Sequence, residues 1–256
     1  MIWIMFEKDK SLKNKNVLIT GASDGIGKST AIIASKLGAK VIMIARDEEK
    51  LQNVMYQLED GNHSWYSYDL KKVEGIDNLV TEIVGTNGLL DGFVHCAGIS
   101  ATRPLKLTKF DFLHDMMLIN FYSFFELCRC ISKKGNYQKG LSIVGMSSIS
   151  GIRGFKGKTA YSATKAALDG AIRSMAKELG EKGIRINSII ACMIKTKMYE
   201  RYKNRTGKEM DDSHSSIYSL GIGEPIDIAN AIIYLLSDYS RIITGIGWVI
   251  DSGTTS

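Results

Sequence analysis

The sequence predicts an α/β fold, a seven-stranded parallel sheet with helices on both of its faces. Three observations lead there. Seven short apolar runs recur along the chain, longer segments with apolar residues at three- and four-residue steps lie between them, and a glycine-rich turn joins the first run to the first such segment. Apolar runs without polar alternation mark strands buried on both faces, and strands that alternate with helical patterns form parallel sheets.

The first strand is Val17-Leu18-Ile19, followed by helical spacing over Ile26 to Leu37, with Gly38 suited to the helix end. Val41 to Ile44 is the second strand, with a helix over Glu48 to Leu58. Trp65 to Tyr68 and a helix over Ile76 to Val84 come next, then Gly92-Phe93-Val94 and one long helix over Phe110 to Ser132. Leu141 to Val144 precedes a helix over Tyr161 to Leu179, and Ile186 to Ile190 is the sixth strand. Pro225 opens the last helix, to Leu236, at a position where its missing N–H costs nothing, and Trp248-Val249-Ile250 is the last strand. Lys195 to Gly223 shows no clear period, which in a compact domain is the mark of a lid or binding loop.

With 256 residues, 45% hydrophobic and 23% charged, and 25 Gly against 2 Pro, the chain is neither disordered nor collagen-like. No Pro- or Ser-rich linker interrupts it, so residues 15–256 are read as one domain and residues 1–14 as an N-terminal extension. The net charge of +6 is spread out; its densest run, Lys195 to Lys208, is followed by Glu209, Asp211 and Asp212, as on a mixed solvated face. Neither nucleic acid nor a membrane is therefore expected as a partner. The apolar start, Met1 to Phe6, falls short of a signal-peptide core and of the about 20 residues that span a bilayer, and Met5 is an alternative start. Cys96, Cys128, Cys130 and Cys192 form no C-x-x-C and have no His at ligand spacing, so a reducing, cytoplasmic setting and no metal are expected.

Thr20-Gly21-Ala22-Ser23-Asp24-Gly25-Ile26-Gly27 lies between the first strand and the first helix. Glycines there allow a tight turn and close approach of a pyrophosphate, and the helix start offers N–H groups to the anion. At the end of the second strand, where an adenosine ribose would lie, the chain has Ala45-Arg46 in place of an acid, and a guanidinium pairs with a 2′-phosphate. NADP(H) is favoured on that ground, with NAD(H) as the alternative; Asp24 stands as a charge that would oppose the phosphate. Asp69, after the third strand, is a candidate acceptor for the adenine amino group.

Tyr161 and Lys165 stand four apart at a helix start, hence on one face, and Ser148 lies thirteen residues earlier at the carboxyl edge of the sheet. With the glycine turn, Asn120, Asn187, Thr196 and the Gly245 to Gly253 run, these residues resemble the short-chain dehydrogenase/reductase family over nearly the whole chain, nearest to its 3-oxoacyl-(acyl-carrier-protein) reductases. The resemblance implies a Rossmann fold. It also implies Tyr161 as proton donor in reduction or base in the reverse direction, Lys165 with the positive nicotinamide of the oxidised cofactor stabilising Tyr161 as phenolate while holding the nicotinamide ribose, Ser148 on the substrate oxygen, and Asn120 in a water-mediated relay to Lys165. The cofactor residues it implies are Gly21, Ser23, Asp24, Gly25, Ile26, Gly27, Arg46, Asp69, Leu70, Cys96, Ala97, Gly98, Tyr161, Lys165, Ile194 and Thr196.

The chain departs from that family at His95-Cys96, in place of Asn-Asn, and at Ala191-Cys192, in place of Pro-Gly. Cys96 lacks the amide that would tie down its loop, and Cys192 puts a side chain beside the nicotinamide. The leading expectation is an NADPH-dependent reductase of a ketone or 3-oxoacyl thioester; oxidation of a secondary alcohol and a non-catalytic dinucleotide-binding regulator are the rivals. Met193, Ile194, Met198 and Tyr199 beside Lys195, Lys197 and Arg201 suit a substrate with an apolar body and an anionic carrier. An acyl carrier protein is a candidate partner, with Lys139 and Lys182 at docking positions by resemblance. The same resemblance implies a homotetramer or homodimer that pairs through the Tyr161 helix and the last strand.

Overall fold

The computed structural model describes residues 10–206 and 217–256. The seven expected strands form one parallel sheet: β1 (Asn16–Thr20), β2 (Lys40–Ala45), β3 (Ser64–Ser67), β4 (Leu90–His95), β5 (Tyr137–Ser148), β6 (Arg185–Ala191) and β7 (Gly247–Ile250). Their order, β3-β2-β1-β4-β5-β6-β7, reverses between β1 and β4, whose last residues Thr20 and His95 are in register. A reversal of this kind opens a crevice at the carboxyl ends of the strands, where ligands of open α/β sheets bind.

Side chains alternate across the sheet. Val17 and Ile19 of β1 pack on one face, under α1 (Gly25–Lys36), α2 (Glu48–Met55) and α8 (Pro225–Leu236). Leu18 packs on the other, under α3 (Ile76–Asn87), α5 (Ser123–Ile131) and α6 (Thr159–Gly180). Leu12 is fully buried and donates its N–H to Leu37 O at 3.2 Å, so the chain is anchored on the body before β1 begins. The possible start at Met5 lies outside the described residues. No helix among the described residues is long and apolar enough to cross a membrane.

One expectation gains a detail and another needs correction. The long helix expected over Phe110 to Ser132 is continuous to Ile131, but α4 (Phe110–Met117) passes into α5 through a π-helical turn, Leu118–Tyr122. Apolar spacing passes through such a turn almost unchanged, which hides it from a periodicity reading, and single π turns gather at functional sites. The segment Lys195 to Gly223 is not aperiodic throughout, since α7 spans Lys197–Thr206. Its strongly polar sequence, KMYERYKNRT, leaves little apolar stripe to read. Residues 207–216 of that segment lie outside the described residues.

Candidate active site

A cavity of about 760 Å³ occupies the crevice and runs from the glycine turn to Ser148, Tyr161 and Lys165. At its floor Gly21 has φ +65°, and a Cβ there would lie 2.7 Å from Ala97 N and 2.8 Å from the Cys96 carbonyl carbon. At Gly27 a Cβ would lie 2.4 Å from Gly21 O. Backbone thus packs on backbone where only glycine fits, and the start of α1 borders the opening so formed. Asp24 caps α1, accepting from Gly25 N at 2.8 Å, and its other oxygen lies 3.3 Å from Lys197 Nζ on α7. Its charge is thus partnered by Gly25 N within the turn and by Lys197 of α7.

Every residue expected to bind a cofactor lines this cavity: Gly21, Ser23, Asp24, Gly25, Ile26, Gly27, Arg46, Asp69, Leu70, Cys96, Ala97, Gly98, Tyr161, Lys165, Ile194 and Thr196. Arg46 is exposed, immediately after β2, and its carbonyl accepts from Ser67 Oγ at 3.1 Å. Asp69 Oδ1 accepts from Lys71 N at 3.1 Å, which fixes the carboxylate at the rim. A cradle that any Cβ would fill, a helix start above it and an exposed guanidinium at the end of β2 together fit a dinucleotide phosphate.

The loop after β4 is held although Cys96 has no amide. Cys96 N donates to Thr20 O at 3.2 Å and Ala97 N to Thr20 Oγ1 at 3.3 Å. From the π turn, fully buried Asn120 accepts from Ile99 N at 2.8 Å and donates to Ile99 O and Thr164 Oγ1, each at 3.0 Å. The Asn120 side chain is therefore a clamp on this loop and not a direct partner of Lys165; alone among the expected catalytic residues it lies behind the cavity wall. His95 is fully buried beneath, 3.0 Å from Thr20 Oγ1, and burial pushes it down to about 3, so it is neutral.

Ser148 ends β5, and its Oγ accepts from Ser150 N at 3.2 Å. Lys165 donates to Met146 O at 2.7 Å, and its Nζ lies 5.7 Å from the centre of the Tyr161 ring. Burial pushes Lys165 down to about 8, against the charge of Asp169. Burial raises the Tyr161 phenol, with Ser148 pulling the other way. The hydroxyl therefore keeps its proton at neutral pH.

The sequence reading missed Lys158. Its Nζ donates to Ser100 Oγ at 2.9 Å and stands 5.7 Å from the ring centres of both Tyr161 and Tyr202, linking the loop after β4, α6 and α7. No local motif marks it, because its neighbours come from three separate elements. Cys192 lines the cavity as expected, and burial pushes its thiol up to about 11. Asn187 is buried and ties β6 to the chain before β7, donating to Ile243 O at 2.9 Å and accepting from Ile246 N at 3.2 Å.

Residues 21–255 match a family profile described as enoyl-(acyl carrier protein) reductase. The chain is 32% identical over 244 residues to a 3-oxoacyl-(acyl-carrier-protein) reductase of Thermotoga maritima, covering 94% of this chain and 98% of the relative. It is also 32% identical over 241 residues to carbonyl reductase family member 4 of Xenopus laevis, with the same two coverages, 94% and 98%. Among solved structures it superposes on ElxO with NADP bound with a TM-score of 0.86 at 32% identity, over 94% of this chain and 98% of that one.

Proposed function

We propose that this chain, which belongs to the short-chain dehydrogenase/reductase family of oxidoreductases, uses NADPH to reduce a ketone or 3-oxoacyl thioester, with Tyr161 as the proton donor. The observation that carries the proposal is the single cavity that joins the glycine cradle and Arg46 to Ser148, Tyr161 and Lys165. The NADP-bound relative and the relatives named for carrier-bound substrates support it.

When bound, the reduced nicotinamide supplies a hydride to the carbonyl carbon. The glycine turn and the start of α1 hold the pyrophosphate, and Arg46 pairs with the 2′-phosphate. Ser148 Oγ donates to the carbonyl oxygen and stabilises the charge that grows there. Tyr161 gives its proton to that same oxygen. Lys165 and Lys158, each with its Nζ 5.7 Å from the Tyr161 ring centre, are the cations beside the phenolate formed on donation, and Lys165 would also hold the nicotinamide ribose.

Arg46→Ala tests the cofactor choice. Loss of a charge-assisted pair lowers kcat/KM for NADPH by about 10- to 100-fold and leaves that for NADH nearly unchanged, as steady-state kinetics with the two cofactors would show. Equal losses with both would mean that Arg46 only supports the fold.

At the substrate end, Lys156, Lys158 and Arg201 line the cavity beside Phe155, Met198 and Tyr202, matching an apolar acyl chain on an anionic carrier. Lys139 and Lys182 are exposed, but at the other edge of the sheet from Tyr161. α6, with 22 residues, separates Tyr161 from Lys182 by about 30 Å at 1.5 Å per residue. Antiparallel pairing of α6 between two copies would bring Lys182 of one beside the cavity of the other, so dimer or tetramer formation and carrier docking are linked in this reading. Exposed Phe110, Tyr122 and Phe125 flank α6's neighbours α4 and α5, and Trp248 and Val249 lie on edge strand β7, giving apolar faces for such pairing. Lys182→Glu is expected to raise KM for a carrier-bound 3-oxoacyl substrate about tenfold while leaving a short thioester unaffected. Parallel assays on the two substrates check this. All four cysteines are free, which suits a reducing cytoplasm.

A further inference from the structure

Asp169 lies one helical turn beyond Lys165 and two beyond Tyr161, so the three share a face of α6. It is only 6% exposed. Its Oδ2 accepts from Ser147 Oγ of β5 at 2.6 Å and its Oδ1 from Ser188 Oγ of β6 at 2.7 Å. Both serines are buried, and they stand on adjacent, hydrogen-bonded strands. A carboxyl group that accepts at both oxygens is bonded as a carboxylate, and the two hydroxyls replace the water that burial removes.

One helical turn back on α6 stands a buried cation. Lys165 is 4% exposed and has its hydrogen bond to Met146 O, a neutral acceptor, on the strand that also carries Ser147. Three titratable groups beside the ammonium carry no charge at neutral pH, and a second cation stands at this end, Lys158, with its Nζ 5.7 Å from the same Tyr161 ring centre. The Cys96 thiol is pushed up to about 12, His95 is pushed down to about 3, and the Tyr161 phenol is raised by burial. Met146, Ser147 and Ser148 on β5, Ser188 on β6 and Asn120 in the π turn bring no charge.

We propose that Asp169, clamped by Ser147 and Ser188, is a positioning residue whose buried negative charge keeps Lys165 an ammonium beneath Tyr161 through the working pH range. The inference rests on the proposed reading, in which Lys165 acts as a cation beside Tyr161. Removing the anion leaves burial unopposed, so Lys165 loses its proton at lower pH. Its charge is present below its pKa and lost as pH rises through it, so the alkaline limit of activity moves toward neutrality.

The test is the titration of Lys165 in protein labelled with 13C at the lysine ε-carbons, followed by NMR without cofactor or substrate. In the wild type one lysine, missing from Lys165→Arg, titrates at about 8. In Asp169→Asn, which keeps the side-chain shape, it titrates about one pH unit lower. The alkaline limb of kcat/KM for carbonyl reduction moves the same way, and the variant regains the wild-type rate at the acid end. Should Asp169→Asn not fold, the combined variant Ser147→Ala, Asp169→Leu, Ser188→Ala removes the charge together with both of its donors, and the same shift is expected. An unshifted lysine, or a loss of rate equal at every pH, would overturn the proposal and leave Asp169 as a stitch between α6 and the sheet. Because the NMR titration uses no substrate, it decides the matter even if no carbonyl is turned over.

Discussion

Tyr161→Phe is expected to lower the rate of carbonyl reduction about 10³-fold, the usual worth of a positioned proton donor, while fold and NADPH binding persist. The substitution removes one oxygen. The group that acts on this oxygen is Ser148, which also lines the cavity wall, so the substitution leaves no buried polar group stranded. The residual rate comes from Ser148, which still polarises the carbonyl, and from the geometry of the bound reactants. Single-turnover consumption of NADPH separates this outcome from a binding defect: the variant should bind NADPH as the wild type does and then fail to oxidise it. A variant that retains full turnover would remove Tyr161 from the chemistry.

The second large effect is structural. Gly21→Ala places a Cβ 2.7 Å from Ala97 N and 2.8 Å from the Cys96 carbonyl carbon, both backbone atoms, at a φ of +65°. The left-handed conformation costs an L-residue about 1–2 kcal/mol, and overpacking against a fixed backbone about 1–3 kcal/mol more. Together these lower the melting temperature by about 5–15 °C. They also push apart the glycine turn and the loop that carries Gly98, so NADPH should no longer raise the melting temperature. Gly85→Ala is the control, because no atom lies within 4 Å of a Cβ there, in α3, and alanine is the better helix former. Thermal melts of the three proteins with and without NADPH check the pair of expectations. Equal melts for Gly21→Ala and the wild type would show that the turn gives way more easily than its backbone contacts imply.

The sheet was legible in the sequence because burial on both faces writes itself as apolar runs: Ile42 and Met43 in β2 are both fully buried, on opposite faces. The glycine turn and the Tyr161–Lys165 spacing were legible because they are local. What escaped is what periodicity and local spacing do not encode. The π turn around Asn120 keeps its apolar residues in step with the flanking helices, and α7 has too little apolar surface to show a stripe. Lys158 and Asp169 take their meaning from partners on other elements, Ser100 and Tyr202 for one, Ser147 and Ser188 for the other.

The most direct measurement is NADPH oxidation by the wild-type protein, followed by fluorescence, with a 3-oxoacyl thioester and with small ketones, and with the product identified. Consumption of NADPH matched by the 3-hydroxyacyl thioester or secondary alcohol, and abolished by Tyr161→Phe, is the expected result. NADPH that binds in the cavity and is never oxidised by any carbonyl would contradict it, and would make this chain a dinucleotide-binding protein without the chemistry of its relatives.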